Sequence, residues 1–374
     1  MKFTISSNVL SSHLQTIGRV IVAKNNLPIL DCFLFEVKDG RLSLTASNNE
    51  TTLSTTVELA DCDGEIRFAA NAKTIQDAIK EIPEQPLDIF VNEGNMEVTV
   101  EYRNGKYNFM AQPADEFPVP VRPAEGSSEL RIEAPRLLDS VNRALFATAD
   151  DTLRPVMNGI YFDIQADSLT IVASDGQKLA CSTNKGVSSP QEGGFIINKK
   201  PATLLKNILA KTDEVVTIIF DGRNAELRTE EYQMVCRLIE GRYPNYRSVI
   251  PKENPNEATI NREALIAALR RVLVFSSVVS SLVKIHLDGS KMTVSSSDLD
   301  FAMSAEENIL CEYAGMPLNI GFRGPFLLEL LSNIQSEDII MRLADGTRAG
   351  VIVPAEQKEG EEVLMLLMPL MINE

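Results

Sequence analysis

Few residues in this chain have the makings of a reaction centre. There are two histidines, His13 and His286. His13 lies among helically spaced apolar residues and His286 in an alternating strand, so both are expected to be structural rather than to move protons. The neighbouring carboxylates Asp150-Asp151 and Glu361-Glu362 read as surface loops. Hydrolysis by two carboxylates distant in sequence stays open at this point. The five cysteines, Cys32, Cys62, Cys181, Cys236 and Cys311, are dispersed and form no CxxC pair. That spacing fits reduced thiols and offers no metal-ligand pattern. No GxxxxGK[ST] loop is present to cradle a nucleotide phosphate. The reading is of a non-enzyme with no cofactor and no metal.

The remaining chemistry-bearing groups are cations and a Met-rich apolar stretch. Lys73, Lys80, Arg136, Arg143, Lys199, Lys200, Lys206, Lys211, Arg270 and Arg271 fall in stretches of helical spacing, and Lys24 in a loop. Each alone reads as part of a solvated helix face. The chain carries a formal net charge of −16 and 44% hydrophobic residues, a globular composition that argues against general adhesion to nucleic acid. A local basic surface on an acidic body remains compatible with it. Residues 363–371 are unusually apolar for a chain end. The run spans about half a membrane thickness and contains Pro369. With no signal-peptide core at the N-terminus, the expectation is a soluble, cytoplasmic protein.

The elements that must position these groups repeat. Leu169-Thr170-Ile171-Val172-Ala173-Ser174-Asp175-Gly176 reads as a strand entering a tight turn, continued by a strand through Ala180. Relatives occur at Leu42-Ser43-Leu44-Thr45-Ala46-Ser47-Asn48 and Met292-Thr293-Val294-Ser295-Ser296-Ser297-Asp298. The copies are roughly 125 residues apart, a domain-sized period. Each third opens with a short strand and a helix, followed by strands, a second helix and hairpins. The first helices are expected after residues 6–8, over 135–148 and over 262–275; the second over 72–82, 199–209 and 325–334. Strands are expected at 29–37, 42–46 and 51–59 in the first third, with Asp-Gly or Glu-Gly turns at Asp39, Glu93, Asp221, Asp288 and Asp345. Proline-rich connectors follow at 117–123 and 251–255. The fold class is therefore α+β: three similar domains at 1–123, 124–252 and 253–374, each with two helices packed on antiparallel sheet.

With the three units in view, the chain resembles the β subunit of bacterial DNA polymerase III, the sliding-clamp family. The resemblance is carried by Met1-Lys2-Phe3-Thr4, Leu27-Pro28-Ile29-Leu30, Asp39-Gly40, Asn158-Gly159, Ala173-Ser174-Asp175-Gly176 with Lys178-Leu179-Ala180, Gly241-Arg242-Tyr243-Pro244-Asn245-Tyr246 and Met368-Pro369-Leu370, in order over residues 1 to about 372. It implies a head-to-tail homodimer forming a six-domain ring, with helices lining the bore and sheets outside. Duplex DNA would be held without sequence preference by bore cations: Lys24, Lys73, Lys80, Arg136, Arg143, Lys199, Lys200, Lys206, Arg270 and Arg271.

The resemblance further implies a pocket for short peptides of the polymerase III catalytic subunit, the clamp loader and other motif-bearing partners. It maps to Arg154, Val156, Met157, Ser174, Gly176, Gln177, Lys178, Leu179, Pro244, Val249, Met368, Pro369, Leu370 and Met371, where flexible methionine suits several ligands. Val156 stands where an aromatic is frequent and Ser248 where a basic residue often sits. The chain also runs on as Met371-Ile372-Asn373-Glu374, which predicts a shifted peptide preference. Tyr107 and Phe109 are expected to face Leu273 and Val274 across the dimer edge. The competing reading is a repeat-built scaffold that binds proteins and never meets DNA.

Overall fold

The computed structural model describes residues 1–372 apart from 188 and 190. The chain forms two compact units. One comprises Met1–Leu137 and Thr203–Leu238, the other Leu138–Ala202 and the chain from Ile239 onward.

The first unit holds a nine-stranded antiparallel sheet. Its order is Gln112–Pro113, Ile66–Asn71, Cys32–Lys38, Arg41–Ser47, Thr51–Glu58, Tyr232–Arg237, Asn224–Arg228, Val215–Phe220 and Ser128–Glu133. A second sheet orders Asp61–Cys62, Lys2–Ser6, Pro86–Asn92, Glu97–Tyr102 and Gly105–Met110. Strands from the first and middle thirds share the larger sheet, because Thr51 to Thr55 pair with Cys236 to Tyr232. Each strand thereby covers an edge that would otherwise expose unpaired backbone groups.

The second unit repeats the device in a twelve-stranded sheet. Its order is Gly193–Asn198, Gly159–Ile164, Ser168–Ser174, Lys178–Lys185, Glu361–Leu367, Gly350–Pro354, Asp338–Leu343, Asn256–Asn261, Met303–Tyr313, Lys291–Asp298, Leu282–Asp288 and Leu318–Arg323. Here the middle third joins the last: Lys178 lies opposite Leu367 and Asn184 opposite Glu361.

Among the described residues six helices pack on these sheets: α1 Ser7–Ile17, α2 Ala72–Lys80, α3 Ala134–Leu145, α4 Lys199–Leu209, α5 Arg262–Val272 and α6 Gly324–Ser332. The chain tends to start a helix where a strand ends in a polar residue. Ser6 Oγ accepts the Val9 N–H at 3.5 Å, Asn71 Oδ1 the Thr74 N–H at 3.0 Å and Asn261 Oδ1 the Ala264 N–H at 3.0 Å. Such caps are typically worth about 1 kcal/mol each. Helix α1 buries Leu10, Leu14 and Ile17 completely, while Val9, expected on that face, is 40% exposed. In the sheets, Phe35 stacks on Phe68 at 4.9 Å and Phe162 on Phe195 at 4.7 Å. The Asp39-Gly40 hairpin has φ of 51° and 75°, the conformation a two-residue turn between twisted strands requires.

Among the helices and the first-third strands, three boundaries differ from expectation by three residues, the others by less. Residues Pro28–Asp31 form a 3-10 turn and the strand starts only at Cys32, since Pro28 enters that turn at its first position. Helix α3 stops at Leu145, where the Thr148 hydroxyl donates to the Leu145 carbonyl at 2.9 Å and closes a tighter turn. Helix α5 ends at Val272 and continues as a 3-10 turn over Leu273–Phe275.

Candidate functional site

A concave, mostly apolar cavity of about 340 Å³ opens in the second unit beside the join between Lys178–Lys185 and Glu361–Leu367. The hairpin turn after Ser174 forms its rim. Asp175 Oδ1 accepts the N–H groups of Gln177 at 2.8 Å and Lys178 at 2.9 Å, and Ser174 Oγ donates to the Lys178 carbonyl at 2.8 Å. Gly176 adopts φ of +91°, and a Cβ there would lie 3.3 Å from Arg154 Nη1. Arg154 is held in turn by Asp151 at 2.8 Å, and this hydrogen bond, with one from the Leu153 N–H, keeps the Asp151 carboxyl below its usual range. Leu179 and Leu366, directly opposite each other in the sheet, line the cavity and are buried. Met157 is buried at one wall, and Met368 is 44% exposed with its N–H on the Gln177 carbonyl at 2.8 Å.

The opposite wall is Tyr243, Pro244, Asn245, Tyr246 and Val249. The buried Asp163 fastens it. Its Oδ2 accepts the Tyr246 hydroxyl at 2.6 Å and an Arg247 N–H at 2.9 Å, and its Oδ1 accepts Gln165 at 2.8 Å. Burial pushes this carboxyl up, but those hydrogen bonds outweigh it and hold it below the usual carboxylate range. The Tyr243 and Tyr246 phenols are pushed up by burial. Tyr243 also stacks on Tyr161 at 4.9 Å with planes 6° apart.

Of the residues expected here, Arg154, Met157, Ser174, Gly176, Gln177, Lys178, Leu179, Pro244, Val249 and Met368 line the cavity. Lys178 contributes its stem only. It is 6% exposed, its ammonium pairs with Glu329, and the ring centroids of Phe326 and Phe146 lie 4.5 and 5.4 Å away. Val156 is not a lining residue: it packs, half-buried, against the buried cluster that includes Tyr243 and Tyr246, and a Cβ on Gly241 would lie 2.8 Å from it. Pro369 and Leu370 turn away, the Leu370 N–H bonding the Gly321 carbonyl at 2.8 Å, and Met371 is 73% exposed beyond them. Asn373 and Glu374 lie outside the described residues. Tyr243, Asn245, Tyr246 and Leu366 also line the site, although sequence reasoning did not assign them to it. The signal was present in the Tyr243-Pro244-Asn245-Tyr246 string, whose aromatic residues read equally well as core.

The cations divide into groups. Lys24, Lys73, Lys80, Lys199, Lys200, Lys206, Lys211 and Arg270 are exposed and Arg136 is half-buried. Arg271 is exposed but bound twice by Glu307, at 2.5 Å each. Arg143 is a correction. It is 6% exposed, and its guanidinium is occupied by Glu361 at 3.1 Å and Asp139 at 3.3 Å. A cation so enclosed and paired does not present itself to a phosphate; it is a structural ion pair.

Tyr107 and Phe109 are half-buried on Gly105–Met110, a strand paired only with Glu97–Tyr102 among the described residues. In the second unit, among the described residues, Met303–Tyr313 pairs over its first eight residues only with Lys291–Asp298, leaving its other edge open there. Leu273 is half-buried, and Val274 at 72%, Val278 at 90% and Leu299 at 90% are exposed apolar side chains. The histidines are engaged structurally. His13 Nδ1 meets the Thr55 hydroxyl at 2.9 Å, with burial lowering its pKa, and His286 Nδ1 meets Asn319 Oδ1 at 2.8 Å. Among the described residues no helix is long and apolar enough to cross a membrane.

Three family models match in sequence: the N-terminal domain of the DNA polymerase III beta subunit over residues 1–121, its central domain over 131–245 and its C-terminal domain over 247–368. The beta sliding clamp of Pseudomonas putida is 26% identical over 367 residues, covering 98% of this chain and 99% of that one. That of Escherichia coli is 25% identical over 371 residues, covering 98% and 99%. Among solved structures, a Pseudomonas aeruginosa sliding clamp bound to griselimycin superposes with a TM-score of 0.94 at 26% identity, and the Thermotoga maritima beta subunit with 0.90 at 28%, each covering 100% of both chains. With three antiparallel-sheet domains in this order, the chain belongs to the DNA polymerase III beta subunit family.

Proposed function

We propose that two copies of this chain close head to tail into a six-domain ring around duplex DNA and tether the replicative polymerase to it. The domains run 1–123, 124–252 and 253–374. The observation that carries the DNA reading is the set of exposed lysines and arginines on α2, α4 and α5 of a chain whose net charge is −16. Repulsion between DNA and most of the surface confines attraction to those helices, and phosphate contacts of this kind are sequence-blind and readily exchanged. Enclosure then supplies retention and weak contacts supply sliding.

The open edges of Gly105–Met110 and Met303–Tyr313 support closure, since a strand edge flanked by apolar side chains is stabilised by pairing with another chain. Lys106 is exposed on the first edge and Glu306 on the second, so the two are complementary in charge. The 340 Å³ cavity suits short apolar peptides of the polymerase III catalytic subunit, the loader and other partners. The role is non-catalytic and cytoplasmic. The test is retention on circular DNA before and after linearisation. Loss on cutting is expected; equal retention on both forms refutes topological holding.

A further inference from the structure

We propose that the open edge of Met303–Tyr313 continues into an apolar clasp, built from the loop 276–281 and the hairpin tip 299–302, that closes on the first third of a second copy and keeps the ring shut at high salt. The inference rests on the head-to-tail reading above and carries the contact past the paired strand edges. Leu282–Asp288, Lys291–Asp298 and Met303–Tyr313 are neighbours in one sheet, with Lys284 opposite Ser295 and Asp298 opposite Met303. The loop enters the first of these strands at the sheet end where the tip joins the other two. Ser296 Oγ donates to the Leu282 carbonyl at 2.6 Å, which ties the exit of the loop to the strand that carries the tip. The 3-10 turn Leu273–Phe275, which leads into the loop, lies against both Lys291–Asp298 and the open-edged strand.

The chemistry of this end is apolar. Residues 273–282 carry no charged side chain in a chain that is 24% charged, and the tip carries only Asp300. Val278, Val279, Leu299 and Phe301 are 90%, 88%, 90% and 73% exposed, with Val274 and Met303 exposed beside them. Both loops are held in shape. The Ser281 N–H bonds the Ser277 carbonyl at 2.8 Å and the Ala302 N–H the Leu299 carbonyl at 3.3 Å. Ser281 and Ala302 take φ of 47° and 53°, which costs a non-glycine residue roughly 1–2 kcal/mol. Side chains so exposed add little to the fold of their own chain, yet strained backbone presents them. An apolar surface continuous with an unpaired strand edge is a seat for another chain. A second copy offers the match: its open edge Gly105–Met110 ends in half-buried Phe109 and in Met110, 62% exposed. Antiparallel pairing with Lys106 near Glu306 runs Phe109 and Met110 toward Met303 and the tip. Contacts of this kind are not screened, whereas charge pairs are, since the Debye length falls from about 10 Å at about 0.1 M salt to about 3 Å at about 1 M. Salt therefore loosens the hold on DNA while the ring stays closed.

The test is sedimentation velocity of the full chain over a dilution series, at about 0.1 M and about 1 M sodium chloride, which gives the dimer dissociation constant. The wild-type constant should rise less than about threefold between the two salts, and Val279→Asp and Phe301→Asp should each raise it at least about tenfold at both. Met316→Asp replaces an apolar residue, 81% exposed, in the turn at the opposite end of the same strands, and should leave the constant unaltered. Far-UV circular dichroism should match wild type in all three. If Phe301→Asp fails to fold, Phe301→Ser replaces it, with a smaller loss expected. A wild-type dimer that falls apart at the higher salt, dimers indifferent to both clasp substitutions, or an equal loss in Met316→Asp would each overturn the clasp and leave the strand-edge reading standing. A wild-type chain that stays monomeric at every concentration overturns the head-to-tail reading itself, and the clasp with it.

Discussion

Removing the Asp163 carboxylate tests whether the second wall of the pocket is held as described. Asp163 is 7% exposed and gathers the Tyr246 hydroxyl at 2.6 Å, Arg247 at 2.9 Å and Gln165 at 2.8 Å. In Asp163→Ala the phenol of Tyr246, itself 7% exposed, loses its charged acceptor. That bond is worth about 1.5–3 kcal/mol. Arg247 is 56% exposed and is resolvated, so its pair adds only up to about 1 kcal/mol. The expected loss is about 2–4 kcal/mol, read from urea midpoints at pH 7. The sign of the pH dependence follows from the lowered carboxyl pKa. A group depressed below its unfolded value of about 3.9 stabilises the fold above that pH and ceases to do so as pH falls through the folded value. Wild type and variant should therefore differ fully at pH 7 and converge as the solution is acidified below about pH 4. Peptide affinity at the pocket should fall with the wall, because Tyr246 and Val249 line it. A loss under about 0.5 kcal/mol, or a pH-independent difference, refutes the assignment of Asp163 as the fastening of that wall.

Arg143→Met should cost about 3–5 kcal/mol by stranding the buried Glu361, while leaving the salt dependence of DNA binding unchanged; a change in that slope would return Arg143 to the DNA surface. Lys73→Glu with Lys80→Glu should instead lower the slope of log affinity against log salt by about 0.9 for each phosphate no longer neutralised, as measured by filter binding. Met368→Asp should weaken an apolar partner peptide at least about tenfold without shifting the thermal midpoint, since its side chain is partly exposed and its structural N–H bond is retained. Leu273→Asp should yield monomers by sedimentation, and persistent dimers would count against the proposed edge.

The sequence carried the hairpins and the helices well, for local reasons. An Asp-Gly pair such as Asp39-Gly40 announces a turn because few residues accept positive φ, and Leu10, Leu14 and Ile17 share one helical face by spacing alone. Met303–Tyr313, the longest strand among the described residues, had no such signal. Its Glu306-Glu307-Asn308 stretch reads as polar loop, and one side of it is a free edge with little apolar patterning. Long-range pairing was also hidden. Arg143 looks like any helix cation until Glu361, 218 residues away, is brought against it. Asp163 likewise finds Tyr246 across 83 residues, so the support beneath the pocket wall had no local signature. The pocket rim was better marked, since the Ser174-Asp175-Gly176 turn bonds within itself.

The middle third lends Tyr232–Arg237 to one sheet and Lys178–Lys185 to the other. Whole repeats are therefore poor modules for gain or loss. Excising the central one would leave two raw borders inviting promiscuous aggregation, and a chain severed at either linker would still be stitched together by its backbone ladders. Lineages of such molecules should vary in loops and surface charge while keeping the count of units constant.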